Sequence, residues 1–227
     1  MATASQEDYL KAIHALAQEG LKPISARLSE ELHVSPPAVT TALRRMGRNG
    51  YVRQGPGGVI LLTARGRRIA EHLSLRHRLA EKLLTEVLGM PWTRVHVEAE
   101  KLEHAISPEL EKRLLDYFGR EGSCPHGNPL FGGLAKLRRR YGARRLATVG
   151  AGETVQVLHV FEKDVAFLEF LDRQRLRPGR RLVVKQKDSG DTMAVGLGDK
   201  TVQLGKQATE RIWVRIVRSP ARTSRSG

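Results

Sequence analysis

Residues 25–63, SARLSEELHVSPPAVTTALRRMGRNGYVRQGPGGVILLT, decide the reading of this chain. Ser25 is placed to cap a short helix to about Leu32, with Leu28 and Leu32 inward. Ser35 is placed to cap a second helix, and Pro36 and Pro37 suit its first turn, where the amides have no intrahelical partner. Asn49-Gly50 ends it. Val39, Leu43 and Met46 recur at i, i+4 and i+7 and so face a core, which leaves Pro37, Thr40, Thr41, Arg44 and Arg48 on the outer face. Two strand-like runs, 51–54 and 59–63, flank Gly55-Pro56-Gly57-Gly58 and predict a hairpin. Upstream, Tyr9, Leu10, Ile13, Leu16 and Ala17 mark a helix over 6–18. Three helices and a glycine-rich wing predict a winged helix-turn-helix over residues 1–64. Its partner would be double-stranded DNA. Pro37, Thr40 and Thr41 would approach base edges, Arg27, Arg44, Arg48 and Arg53 would hold phosphates, and Ser35 would belong to the same DNA-binding set. The competing reading of the same face is a solvated basic surface on a plain three-helix bundle.

Charge favours the DNA reading. Lysine and arginine number 39 against 24 aspartate and glutamate, a net charge of +15, which calls for a polyanionic partner. No run approaches the roughly 20 apolar residues a membrane helix needs. The start, MATASQEDYL, has neither the basic nor the apolar region of a secretory signal, so a cytoplasmic location is expected. With one cysteine, Cys124, an intramolecular disulfide and a multi-cysteine metal site are excluded, and that thiol reads as inert.

Beyond the wing, helical periodicity continues over 64–88, from Thr93 to about Ala105, and from Ser107 with Leu110, Leu114, Leu115 and Phe118 as an apolar face. Residues 119–145, rich in glycine, proline and arginine, read as a linker. After it come short strand-like runs at 155–161, 181–184, 192–196, 201–204 and 212–217, spaced as in a small β-barrel. The basic, small-residue tail 219–227 reads as disordered. The expected architecture is multi-domain and mainly α with β. It comprises a DNA-binding domain (1–64), a helical domain with linker (65–145), a β-barrel (146–218) and the tail.

The helical domain concentrates metal-capable side chains. His77 and Glu81 stand at i, i+4, and His96, Glu100, Glu103 and His104 at i, i+4, i+7 and i+8. At about 100° per residue the latter four fall on one helix face. A divalent cation would relieve the repulsion among their carboxylates. The alternative is an ordinary solvated Glu/His/Lys face.

The segments RHRLAEKLL (76–84), RVHVEAEKLEHAIS (94–107) and CPHGNP (124–129), together with EDYLKAI (7–13) ahead of the helix-turn-helix, resemble the diphtheria-toxin-repressor family of metalloregulators. The resemblance spans nearly the whole chain. It implies a homodimer, a helical dimerisation domain and a C-terminal SH3-like domain. It also implies two metal sites, one of Asp8, Glu100, Glu103 and His104, the other of His77, Glu81 and His96 joined by Glu162 or Asp164 of the third domain. Iron-sensing members carry methionine and cysteine where this chain has Asp8 and Glu100. Two carboxylates there resemble the manganese-sensing branch, and hard oxygen donors suit Mn(II). Iron(II), alone or with manganese, is the alternative metal. Short manganese sensors have a further carboxylate at the position of Lys11. A protonated lysine has no lone pair to offer, so two separated single-metal sites are expected.

The third domain would supply a ligand or merely pack, and its arginines 173, 175, 177, 180 and 181 would touch phosphate or form a solvated turn region. A metal-dependent hydrolase is a remote alternative. No HEXXH spacing and no separate general base are present, so no enzyme activity and no small-molecule substrate are expected. Metal-independent winged-helix regulation is a further alternative, and the ligand face opposes it.

Overall fold

The computed structural model describes residues 2–187 and 192–217. The tail expected to be disordered, 219–227, lies outside the described residues.

The first unit is built from α1 (Ala4–Gln18), α2 (Ser25–Leu32), α3 (Pro36–Arg48) and a hairpin of β1 (Val52–Gln54) and β2 (Ile60–Leu62). Thr3 caps α1 through Gln6 in a reciprocal capping box. Ser25 lies inside α2 rather than capping it. Ile24 is the capping residue, and a main-chain bond from Leu28 to its carbonyl closes the first turn. Ser35 occupies the cap position of α3 without a side-chain bond, and the two prolines supply the preset backbone. Val39 and Met46 are fully buried with Leu10, Ile13 and Leu28, and Leu43 packs against them.

The strand pair β1–β2 is antiparallel and leads straight into α4 (Ala64–Lys82), capped by Thr63. A Cβ on Gly66 would sit 2.1 Å from the Tyr51 carbonyl oxygen, so only glycine lets the wing close on the first turn of this helix. One π-helical turn (Leu83–Val87) ends the run. The next helix, α5, is shorter than expected, at Val95–Leu102, and Arg94 rather than Thr93 precedes it. Glu103 caps its end with helical backbone angles and an amide bond to the Ala99 carbonyl, and His104 follows in the turn beyond. In α6 (Pro108–Phe118) Leu114 is buried, but Leu110 is 39% exposed rather than part of the inner face.

Residues 119–145 are not a free linker. They contain α7 (Gly133–Tyr141), whose Leu134 and Leu137 pack with Trp213, and the first strand of the last unit, β3 (Arg144–Arg145). Cys124, His126, Asn128 and Leu130 are buried.

The last unit is a six-stranded antiparallel sheet in the order β3-β8-β4-β5-β6-β7, with β4 Thr154–Val160, β5 Arg181–Lys187, β6 Thr192–Leu197, β7 Lys200–Gly205 and β8 Ile212–Ile216. Two helices missing from the sequence reading, α8 (Val165–Arg173) and α9 (Lys206–Glu210), connect strands, and Phe167, Leu168 and Leu171 of α8 enter the core. Trp92, from the loop before α5, is buried in that same core and donates to Asp172 at 2.8 Å. The sheet is thus pinned to the helical domain. Among the described residues no helix is long and apolar enough to cross a membrane.

Candidate metal centre

Asp8 sits on α1, His77 and Glu81 one turn apart on α4, His96 and Glu100 on α5, and Glu103 and His104 just past its end. Glu162 comes from the loop after β4. Three groups of potential ligands, each within 4.8 Å, result: Asp8 with Glu103 and His104; His77 with Glu81, His96 and Glu162; and Glu81 with Cys124, His126 and Glu162.

In the first group His104 Nε2 lies 2.9 Å from Asp8 Oδ1, and its Nδ1 lies 3.0 Å from Glu7 Oε2. Burial works against the charged ring, but Glu7 and Asp8 hold the His104 pKa above its usual value. Glu103 is almost wholly enclosed, and Lys11 Nζ donates to both of its oxygens at 2.9 and 2.7 Å. Burial alone would raise the Glu103 carboxyl; the bond from His77 and the Lys11 charge bring it below the usual range. Glu100 does not join this group. Its side chain is 47% exposed and its Oε1 lies 3.4 Å from His96 Nε2, on the side of the second group. That histidine contact, working against partial burial, draws Glu100 down to about 2.

His77 stands between the first group and the second. Its Nδ1 is 2.6 Å from Glu103 Oε2 and 3.2 Å from Lys11 Nζ, while its Nε2 is 2.9 Å from His96 Nδ1 and 3.1 Å from Glu81 Oε1. Burial would push Glu81 up, yet His77 and His126 beside it hold it well below the carboxylate range. His96, despite burial, is raised to about 9 by Glu100 and Glu81. Glu162 approaches His96 Nδ1 at 3.9 Å and accepts from Asn128 Nδ2 at 2.6 Å. Asp164, the alternative third-domain ligand, instead caps α8 through the Phe167 amide and accepts from Arg211.

The third group was not foreseen. Cys124, read as inert, and His126 come from CPHGNP, which carries no periodic signal. A Cβ on Gly127 would lie 1.9 Å from the Leu158 carbonyl oxygen, and its φ is +91°. Glycine there lets the loop lie on β4 where the pairing with β8 shifts register between Val157 and His159. His126 Nε2 then donates to the Trp92 carbonyl at 2.8 Å, which turns Nδ1 toward Glu81 Oε1 at 3.0 Å. Burial pushes the Cys124 thiol well up, and Glu81 and Glu162 add to this.

The donors fit a divalent cation. Glu81 Oε2, His96 Nε2 and His126 Nδ1 are buried with no aligned hydrogen-bond partner, a costly arrangement that an ion relieves. On the DNA-binding unit, Ser35, Pro37, Thr40, Thr41, Arg44, Arg48 and Arg53 are all exposed. Arg27 is half-buried and donates to the Lys22 carbonyl.

Family models for the iron dependent repressor N-terminal DNA binding domain, its metal binding and dimerisation domain, and the FeoA domain match residues 1–58, 63–132 and 144–216. The iron-dependent repressor IdeR of Mycobacterium leprae is 32% identical over 223 residues, 93% of this chain and 96% of that protein. The chain belongs to the diphtheria toxin repressor family. The diphtheria toxin repressor of Corynebacterium efficiens is 37% identical over 155 residues, 66% of this chain and 67% of that protein. Among solved structures, a manganese-dependent transcriptional repressor in complex with manganese is 30% identical with a TM-score of 0.83, covering 93% of this chain and all (100%) of that one. IdeR of T. acidophilum is 26% identical with a TM-score of 0.78, covering 96% and 100%. This chain is accordingly a metal-dependent transcriptional repressor of the family, with a DNA-binding, a dimerisation and an SH3-like FeoA unit. Its homologues are repressors and not enzymes, which removes the hydrolase reading.

Proposed function

We propose that this repressor responds to Mn(II), binds palindromic operator DNA as a homodimer in the cytoplasm when metal-loaded, and controls genes of metal-ion homeostasis. The observation that carries the metal assignment is the group Asp8, Glu103 and His104. Two of its three donors are carboxylates and none is sulfur, and hard oxygen donors suit Mn(II). This group joins α1 of the DNA-binding unit to the end of α5. A cation held there would fix the angle between the two, and with it the spacing of the two recognition helices across a dimer, about 34 Å per DNA turn. The favoured arrangement gains only as much population as the difference in metal affinity allows.

The second site would be held by His77, Glu81, His96 and Glu162, with His126 and Cys124 adjacent. Lys11, donating to Glu103 between the two groups, favours two single-metal sites over a shared pair. Glu100 acts in this reading as a partner of His96. The DNA face is Ser35, Pro37, Thr40 and Thr41 for bases and Arg27, Arg44, Arg48 and Arg53 for phosphates. Val87, Leu88, Val97, Leu110 and Tyr117, large apolar side chains exposed in the helical domain, supply the dimer face.

An iron(II) response is the second reading. Cys124 in the third ligand group favours it, because thiolate prefers later metals, and so do the iron-dependent relatives. Fluorescence titration of operator binding under anaerobic conditions, with no metal, Mn(II) or Fe(II), tests both. A lower midpoint with Mn(II), abolished by Asp8→Ala, is expected. Equal DNA affinity with and without metal would sink the proposal.

A further inference from the structure

A cavity of about 670 Å³ lies between α1, α4 and the segment that leads into α7. Four arginines line it, Arg67, Arg68, Arg78 and Arg139, against a single carboxylate, Glu71. Arg67, Arg68 and Arg139 are exposed and make no ion pair among the described residues. Arg78 donates to the Leu130 carbonyl at 3.1 Å through Nη1, which leaves Nη2 against Gly133. Gly133 begins the nine-residue α7, whose Ala135 amide already donates to Gln18 Oε1 at 2.8 Å, so the helix end contributes its dipole field to this space. His14 of α1 forms part of the wall. It is 7% exposed and has no hydrogen-bond partner among the described residues. Burial, with Arg78 and Arg67 nearby, lowers its pKa to about 4, so at neutral pH it presents a neutral ring. A neutral ring always keeps one N–H to donate. Two features therefore point to an occupant independently: an enclosed imidazole that bonds to no protein group among the described residues, and four guanidinium groups facing a single carboxylate.

We propose that this cavity binds a phosphoryl oxyanion, with Arg67, Arg78 and Arg139 as the cationic clamp and His14 as a donor in its wall. Guanidinium forks match the paired oxygens of phosphate, and the α7 end adds favourable field. The anion can come from free phosphate or from the backbone of bound DNA. Calorimetric titration of inorganic phosphate and pyrophosphate into the full-length metal-free protein separates these. Saturable binding that weakens at least tenfold in the Arg67→Ala/Arg139→Ala variant, and severalfold in His14→Gln, shows a free-phosphate site. Unchanged thermal unfolding of the arginine variant without ligand keeps the comparison sound. No heat from either anion, with the salt slope of double-stranded DNA binding reduced by about 2 in that variant, assigns the clamp to DNA phosphates. Neither effect, or phosphate binding that the arginine variant leaves untouched, would overturn the proposal.

Discussion

Glu31 on α2 forms an ion pair with Lys163 of the third domain. The residue before it, Glu162, turns into the second ligand group. Two consecutive side chains of one loop thus touch the helix-turn-helix and the second group of potential ligands. Both members of the pair keep part of their surface in water, so their direct contribution to stability is small, ~1 kcal/mol or less. Lys163→Ala is expected to leave the unfolding midpoint almost unchanged while moving the metal midpoint for DNA binding several-fold upward, a coupling on the order of 1 kcal/mol. Anisotropy titrations across Mn(II) concentrations measure this, and a variant indistinguishable from wild type would rule the coupling out.

Glu103 and Glu100 should differ sharply. Glu103→Gln removes an enclosed ligand held by Lys11 and is expected to lower metal affinity about 100-fold. Glu100→Gln changes a half-exposed group whose contact is His96, and less than tenfold is expected. Calorimetric Mn(II) titration reads both. The reverse ranking would restore Glu100 to the first ligand group.

Removing Lys11 isolates a buried charge. Breaking an enclosed pair by deleting one partner typically costs about 3–5 kcal/mol. Lys11→Met is therefore expected to lower the thermal midpoint of the metal-free protein markedly, and saturating Mn(II) should recover most of the loss by re-compensating Glu103. An equal loss with and without metal would show that Lys11 is purely a packing residue.

Acid should destabilise the protein through two enclosed histidines. His14 and His159 are both lowered from 6.5 to about 4, chiefly by burial. Below 6.5 the unfolded chain takes up protons that the folded one refuses. Their stabilising contribution is complete above pH 6.5 and fades as pH falls toward 4. Each shift corresponds to at most about 3 kcal/mol. Urea unfolding at stepped pH should show this slope, and His14→Phe should flatten part of it. A variant with the full wild-type slope would contradict the assignment.

Gly127→Ala places a methyl group against the Leu158 carbonyl at a backbone angle that side chains rarely adopt. It is expected to displace the CPHGNP loop and weaken metal binding at the second and third groups, while the first group keeps its affinity. Stoichiometry by metal analysis would fall, and an unchanged count would show that the loop accommodates the methyl.

The parts legible in the sequence were those with a repeat to read. Val39, Leu43 and Met46 announce α3, and His77 with Glu81 follows from a single helical turn. The grouping of Glu100 with Asp8, Glu103 and His104 comes from the family resemblance; here its side chain lies beside His96, one helical turn earlier on the same helix, a rotamer choice that spacing alone does not encode. CPHGNP gave no periodicity, so its composition pointed to a loop. Its burial depends on contacts with β4 and Trp92, partners more than 30 residues away. The same holds for α7, whose inner leucines only acquire meaning against Trp213.

The tight seat of Gly66 under Tyr51 has a consequence for how such a regulator can diversify. The wing is locked to the start of α4, and His77 rides about 17 Å further along the same rod. In the proposed reading the DNA-reading head and His77 are therefore cast in one piece, and the group Asp8, Glu103 and His104 lies at the seam with α5. Exchanges on the α5 side are then expected to retune the ion without disturbing the sequence being read, and exchanges on the outer face of α3 to change the target without disturbing the ion.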